Sequence, residues 1–196
     1  MSDVYLEKPR KTHIPAEAEF WIFIIGDMLI FSVFFVVFMY NRALNIELFD
    51  AAQLQLSQVY GLSNAVVLLT SSWFVARGLS AARLNRTDKA KRFYVFAFLC
   101  GLVFCIIKAI EYSEKFNSNI DISNNVFYQY YFALTGVHLL HVIVGLICLS
   151  VMIKRCHDKA TLQEDDVLFL EGGGVYWHMV DILWIFLFFV IYLIKY

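Results

Sequence analysis

The sequence predicts an all-α protein: an integral membrane bundle of five transmembrane helices, with a cytoplasmic N-terminus and a periplasmic C-terminus. Charged residues make up 17% of the 196 residues, against about a quarter in soluble domains, and 60% are hydrophobic. The mean hydropathy is +0.64. Five apolar runs are long enough to cross a bilayer at about 1.5 Å of helix rise per residue. They lie at about residues 20–40, 61–79, 93–110, 127–153 and 175–196.

The basic residues predict this orientation, because the cytoplasmic loops of membrane proteins are enriched in Lys and Arg. Of the 16 Lys and Arg residues, all but Arg42, Lys108, Lys115 and Lys195 lie in the N-terminal tail or near the loops that follow the second and fourth runs. We therefore expect a cytoplasmic tail at residues 1–19 and a single membrane domain at residues 20–196. The tail lacks an apolar core with a small-residue cleavage site, so the first helix should insert uncleaved.

The composition argues against several classes of protein. A net charge of −1 gives no reason to expect nucleic acid as a partner. The four cysteines form no Cys-x-x-Cys pair, and we interpret them as small hydrophobic residues rather than metal ligands or disulfides.

The stretch at residues 49–59 has apolar residues at helical spacing, which predicts a short interfacial helix before the second span.

The first three spans each carry polar groups into the membrane. Asp27 lies about 10 Å of helix rise from the cytoplasmic end of the first span, and is either a packing group or a proton-exchanging group. Asn64 and Ser72 begin and end a polar face on the second span, which favours close helix packing. Lys108 in the third span can reach Glu111, one turn away, or extend outward to the interface.

The last two spans carry the buried histidines. His138 and His141 lie along one stripe of the fourth span, and His178 and Asp181 share a face of the fifth. A haem would need two axial ligands on opposite sides of the iron, which two histidines one turn apart on one helix cannot supply. His178, expected near the cytoplasmic start of its helix, matches the depth of His138 poorly. We therefore favour hydrogen-bonded structural roles and no cofactor of the chain's own.

Five motifs resemble a known family. The segments TGVHLLHVIVG (135–145) and EGGGVYWHMVDILW (171–184) look like the signatures of subunit III of haem–copper oxidases, as do Gly26-Asp27, NAVVLLTSS (64–72) and Glu111-Tyr112. The resemblance covers residues 18–196 and is to the short, five-helix form. It is greatest to the nitric oxide reductase E-type branch, with quinol-oxidase subunit III next. Lys108 replaces a frequent glutamine, and the three glycines at 172–174 replace a run containing alanine, which predicts a looser start to the last helix.

This resemblance implies an accessory subunit without redox centres, in a respiratory oxidase or nitric oxide reductase of a bacterial-type inner membrane. Its partners would be a catalytic subunit that holds haem and copper, other membrane subunits and bound phospholipid. Such subunits support assembly and proton uptake in oxidases. The candidate proton-exchanging residues, expected at similar depth, are Asp27, Asp181 and His178. The candidate structural polar or lipid-cleft residues are Glu111, His138, His141, Glu171 and Trp177.

Two other classes remain open at this stage. A proton-coupled transporter of small molecules would use Asp27, Glu111 and the histidines as a relay, although the spans show no inverted repeat. A quinone-reactive membrane anchor would hold haem between histidines of different helices.

Overall fold

The computed structural model describes residues 18–118, 120 and 125–194, and no β-strand occurs among them. The helices are α1 (Ala18–Leu44), α2 (Ile46–Gln53), α3 (Gln58–Arg83), α4 (Thr87–Asn117), α5 (Val126–Asp158) and α6 (Glu164–Phe188), which continues into a π-helical turn (Phe189–Leu193). Within this described part, the five helices other than α2 are long and apolar enough to cross a membrane. The predicted all-α membrane bundle is confirmed. The basic tail residues and Lys195 lie outside the described residues.

The last helix begins at Glu164, well before the apolar run that starts at residue 175. Gln163 and Asp166 form a capping box, in which each side chain accepts a hydrogen bond from the other residue's backbone N–H. Acidic side chains in the first turn also complement the helix dipole. The capping box and the acidic first turn thus stabilise the polar start of α6 as a helix, although this stretch is not part of the apolar run. As a result, His178 lies farther along its helix than expected.

The looser start predicted from the three glycines was wrong. Residues 172–174 are buried inside a continuous α-helix. A Cβ atom on Gly173 would lie 2.7 Å from Met152 Sδ and 3.0 Å from Cys148 Sγ of α5. The glycine therefore permits close approach of α5, which is the usual role of small residues between membrane helices.

Helices α3, α4, α5 and α6 pack as a ring, in which each contacts the next and α6 closes against α3. Helix α1 lies outside this ring along α5 and α6, where Phe31 contacts His141 and Phe35 contacts Phe186. In their most apolar stretches 61% of α6 residues are buried, but only 17% of α1 residues. Helix α6 is thus the most buried of the five spanning helices, and α1 is the most exposed.

The basic residues around the α3–α4 turn and at the end of α5 lie at one end of the bundle, which we call the basic end. There Asn85, in the turn between α3 and α4, accepts a hydrogen bond from Leu162 N before α6. At the opposite end α2 folds back on α1, where Arg42 donates to Asp50 over 2.5 Å. Phe49 of α2 is fully buried, as expected for an interfacial helix with one apolar face.

Trp177 of α6 fits into a slot made by glycines on two neighbouring helices. Its ring is 1% exposed. A Cβ atom on Gly145 of α5 would lie 2.7 Å from this ring, and one on Gly101 of α4 would lie 2.9 Å from it. At Gly145 the two nearest atoms belong to the rigid indole ring, which cannot move aside as a flexible side-chain end could.

We expect Gly145→Ala to destabilise the bundle by about 1–3 kcal/mol, since it overfills this slot. Gly136→Ala on the same helix is the matched control, because no heavy atom lies within 4 Å of the added Cβ. That control should be neutral or slightly stabilising, as Ala favours a helix over Gly. Equilibrium unfolding in mixed detergent micelles measures both variants. Equal effects of the two substitutions on the unfolding free energy would contradict the claim that Gly145 is needed to make room for Trp177.

Candidate functional site

Among the described residues, we distinguish three groups of polar side chains at contacts between the spanning helices. One joins α1 to α5, one joins α3 to α6, and one joins α4 and α5 to the π-helical turn. Each group contains an ionisable residue predicted from the sequence.

The first group is a pair of ionisable side chains. Asp27 Oδ2 of α1 lies 2.9 Å from His141 Nε2 of α5, and both side chains are mostly buried. His141 Nδ1 lies 2.8 Å from the backbone oxygen of Val137. Both ring nitrogens therefore face acceptor oxygens, but a neutral imidazole has only one N–H to donate. A neutral His141 can therefore donate to only one of these two oxygens, and the close contact with Asp27 links α1 to α5.

A cleft of about 550 Å³ leads from the basic end toward this pair, between α1, α5 and α6. Its walls include Phe23 and Val144, and Asp27 and His141 lie one helical turn farther along the same two helices. Tyr176 lines the cleft and donates a hydrogen bond of 3.2 Å to the His141 backbone oxygen.

The mouth of the cleft carries charges of both signs. Arg155 and Asp165 are among the lining residues. The Arg155 guanidinium lies 4.0 Å from the centre of the Phe169 ring and donates to Asp166 over 3.2 Å. The cleft thus combines mostly apolar walls with a charged mouth.

The second group lies between α3 and α6. Ser72 Oγ lies 2.5 Å from His178 Nδ1, and Asp181 is 4% exposed. Asp27 therefore pairs with His141, while His178 faces α3, so the expected cluster of Asp27 with Asp181 and His178 is not formed. The two groups are separate because Asp27 faces α5, whereas His178 faces α3 from the other side of α6.

The two histidines of α5 face different neighbours, although they were expected on one stripe. His138 is fully buried, and its Nε2 lies 2.9 Å from the backbone oxygen of Val180 on α6. That nitrogen must be the donor, since the carbonyl can only accept. His141 instead faces α1. Three residues advance a helix by about 300°, and the remaining 60° is enough to point the two rings at different helices.

The third group surrounds Lys108, which is fully buried. Its Nζ lies 2.8 Å from Glu111 Oε2, and 3.2 Å and 3.4 Å from the hydroxyls of Tyr192 and Tyr131. The Tyr192 hydroxyl also donates to Glu111 Oε1 over 2.6 Å. Of the two outcomes expected for Lys108, the structure shows the pair with Glu111.

Aromatic rings close this cluster on several sides. Lys108 Nζ lies 5.0–5.9 Å from the ring centres of Tyr112, Tyr131, Trp184 and Tyr192. Tyr131 and Tyr192 were missed in the sequence, because each lies in an apolar run where an aromatic residue is unremarkable. The sequence pointed to them only indirectly, because a buried Lys–Glu pair needs further hydrogen-bond partners from other helices.

Glu171 and Trp177, predicted as structural or lipid-cleft residues, contribute to packing between helices. Glu171 Oε1 accepts hydrogen bonds of 3.0 and 2.8 Å from Nε and Nη2 of Arg83 at the basic end. This bond ties the start of α6 to the end of α3. Trp177 occupies the glycine slot described above.

These features define a polytopic α-helical membrane protein, whose buried charges and imidazoles are held by bonds between neighbouring helices. Residues 14–196 match the sequence profile of cytochrome c oxidase subunit III. The chain belongs to the subunit III family of haem–copper oxidases. It is a subunit III-type, multi-pass membrane protein.

Relatives from distant organisms show the breadth of this family. The chain is 32% identical over 175 residues to cytochrome c oxidase subunit 3 of Artemia franciscana, covering 87% of this chain and 66% of that protein. It is 25% identical over 173 residues to the subunit of the same name from Synechocystis, covering 88% and 73%. It is 28% identical over 177 residues to cytochrome bo(3) ubiquinol oxidase subunit 3 of Buchnera aphidicola, covering 88% of this chain and 83% of that protein.

Proposed function

We propose that this chain is a non-catalytic accessory subunit of a respiratory haem–copper terminal oxidase or nitric oxide reductase in a bacterial-type inner membrane. The observation that carries the proposal is the family match over residues 14–196. The catalytic partner would supply haem and copper. This chain would contribute assembly contacts, bound phospholipid and support of proton uptake.

The bonding of the histidines supports a role without a redox centre. His138 donates through Nε2 to a backbone oxygen, and both nitrogens of His141 face oxygen atoms. His178 Nδ1 is bound to the Ser72 hydroxyl. Using His138 Nε2, His178 Nδ1 or either nitrogen of His141 as a haem ligand would therefore break a bond between helices or within α5.

The proposed orientation has the basic end in the cytoplasm, as the distribution of Lys and Arg indicates. A single cysteine introduced by Arg86→Cys, in a background without the native cysteines, should react with a membrane-impermeant thiol reagent only in inverted vesicles. Labelling in intact spheroplasts alone would place this loop on the periplasmic side and contradict the proposal.

In this orientation the cleft opens toward the cytoplasm and ends near Asp27 and His141. We infer that the cleft holds a phospholipid and that the pair exchanges protons taken up from the cytoplasmic side. The geometry supports this inference, because a mostly buried carboxyl and imidazole lie 2.9 Å apart, one turn beyond the cleft walls. Ionisable residues inside membrane spans are frequently parts of proton paths.

Optical absorbance of the purified full chain, with a liposome assay, separates this proposal from the two alternatives. We expect the chain alone to show no Soret band and to move no protons in liposomes under an imposed gradient. A Soret band from the isolated chain would favour a haem-bearing quinone-reactive anchor. Substrate-dependent proton flux would favour a proton-coupled transporter.

A further inference from the structure

Four aromatic rings form a continuous patch on the outer surface of α3 and α4, which we call the aromatic patch. The ring centres of Trp73 and Phe74 lie 5.1 Å apart. Phe74 in turn lies 6.4 Å from Phe93 and 5.4 Å from Phe96 of α4. Trp73 is 56% exposed and Phe96 is 51% exposed. The patch is separate from the cleft, whose lining residues belong to α1, α5 and α6.

The patch holds the guanidinium of Arg77, which is exposed. Its central carbon lies 5.9 Å from the ring centre of Trp73 and 6.0 Å from that of Phe93, within the range of a cation–π contact. Arg83 on the same helix pairs with Glu171, whereas Arg77 makes no ion pair with a described residue. Rings from two helices thus position a cation whose N–H donors are available to an anion.

The depth of Arg77 suits a lipid head group. It lies near the end of the apolar run at residues 61–79, with Trp73 about 6 Å of helix rise deeper. Tryptophan is enriched at the membrane interface, and long arginine side chains extend to the level of the phosphates. Residues 77–92 carry six basic residues and one acidic residue, so the surrounding charge is positive.

We propose that Arg77 and the aromatic patch bind an anionic phospholipid, at a site separate from the cleft. The guanidinium donates to the phosphate oxygens, a geometry in which arginine can form two parallel hydrogen bonds. The exposed faces of Trp73 and Phe96 cover the glycerol and the upper acyl chains. A net negative head group is favoured over a zwitterionic one, because the positive surroundings repel the ammonium group of a zwitterionic lipid.

The test is fluorescence quenching of the full chain in phospholipid vesicles by lipids with dibrominated acyl chains. All variants carry Trp21→Phe, so that Trp73 is the tryptophan open to lipid, since Trp177 and Trp184 are 1% and 0% exposed. At equal mole fraction, brominated phosphatidylglycerol should quench more strongly than brominated phosphatidylcholine. Arg77→Gln should lower this preference several-fold, because it removes the cation that binds the phosphate.

Arg86→Gln is the matched control, because it removes the same charge from the exposed turn after α3, outside the aromatic patch. This variant should keep most of the preference for phosphatidylglycerol. Equal losses in Arg77→Gln and Arg86→Gln would indicate diffuse attraction to the charged surface and overturn the site. Equal quenching by the two brominated lipids without either substitution would also overturn it, and would favour an acidic segment of a partner protein as the anion for Arg77. Since the readout needs no partner subunit, failure here is distinguishable from failure of the accessory-subunit proposal.

Discussion

Lys108→Met is expected to destabilise the bundle by about 3–5 kcal/mol, because it leaves the Glu111 carboxylate buried without its cation. Glu111 is 1% exposed and would keep the Tyr192 hydroxyl, which is neutral, as a hydrogen-bond donor. The unfolding free energy in mixed micelles measures this effect. Lys115→Met is the matched control on the same helix, since Lys115 is half-buried and donates to a backbone oxygen of Gln55 rather than to the buried carboxylate.

The double variant Lys108→Met/Glu111→Gln tests the origin of this loss. A buried ion pair that is replaced as a unit costs much less than one that loses a single partner. We therefore expect the double variant to be more stable than Lys108→Met alone. A double variant as unstable as the sum of both single variants would show that the two residues act independently.

Asp27→Asn is expected to leave assembly of the complex intact but to slow proton uptake several-fold, or to shorten the working life of the enzyme during turnover. Asparagine keeps the shape of the side chain and can still bond to His141, but its amide cannot take up and release a proton as a carboxyl can. Turnover, its pH dependence and the rate of inactivation should be measured on the assembled complex.

Ser32→Ala on the same helix provides the control for Asp27→Asn, because its exposed hydroxyl bonds only the Met28 backbone oxygen. This variant should behave as the wild type. If Asp27→Asn also matches the wild type in all three measurements, Asp27 is a packing residue and its proton role is to be dropped.

The sequence predicted the bundle well because a bilayer imposes long apolar runs on every spanning helix. It predicted the ends of the helices less well. The start of α6 at Glu164 depends on the capping box of Gln163 and Asp166, which a search for apolar runs does not detect. The interfacial helix was predicted at residues 49–59, but the structure has it at Ile46–Gln53. The spacing of Phe49 and Ala52, which are both buried, indicated the helix but not its ends.

The sequence predicted which ionisable residues lie inside the bundle, but it did not predict most of the contacts that they make. Lys108 and Glu111 are one turn apart on one helix, so their pair could be expected. Tyr192 joins them from a π-helical turn, whose extra residue shifts the face that a side chain occupies relative to an α-helix. The partner of Asp27 depended on which of two histidines on α5 faces α1, and spacing alone does not decide that.

Affinity purification tests the central claim most directly. A tagged form of the full chain would be solubilised from its native membrane in a mild detergent, and the haem spectrum and subunit composition of the eluate determined. We expect haem-bearing catalytic subunits to co-purify in fixed proportion, with oxygen or nitric oxide reduction in the eluate and a Soret band that disappears when the tagged chain is stripped of its partners. A chain that elutes alone, or that keeps the Soret band after its partners are removed, would contradict the account.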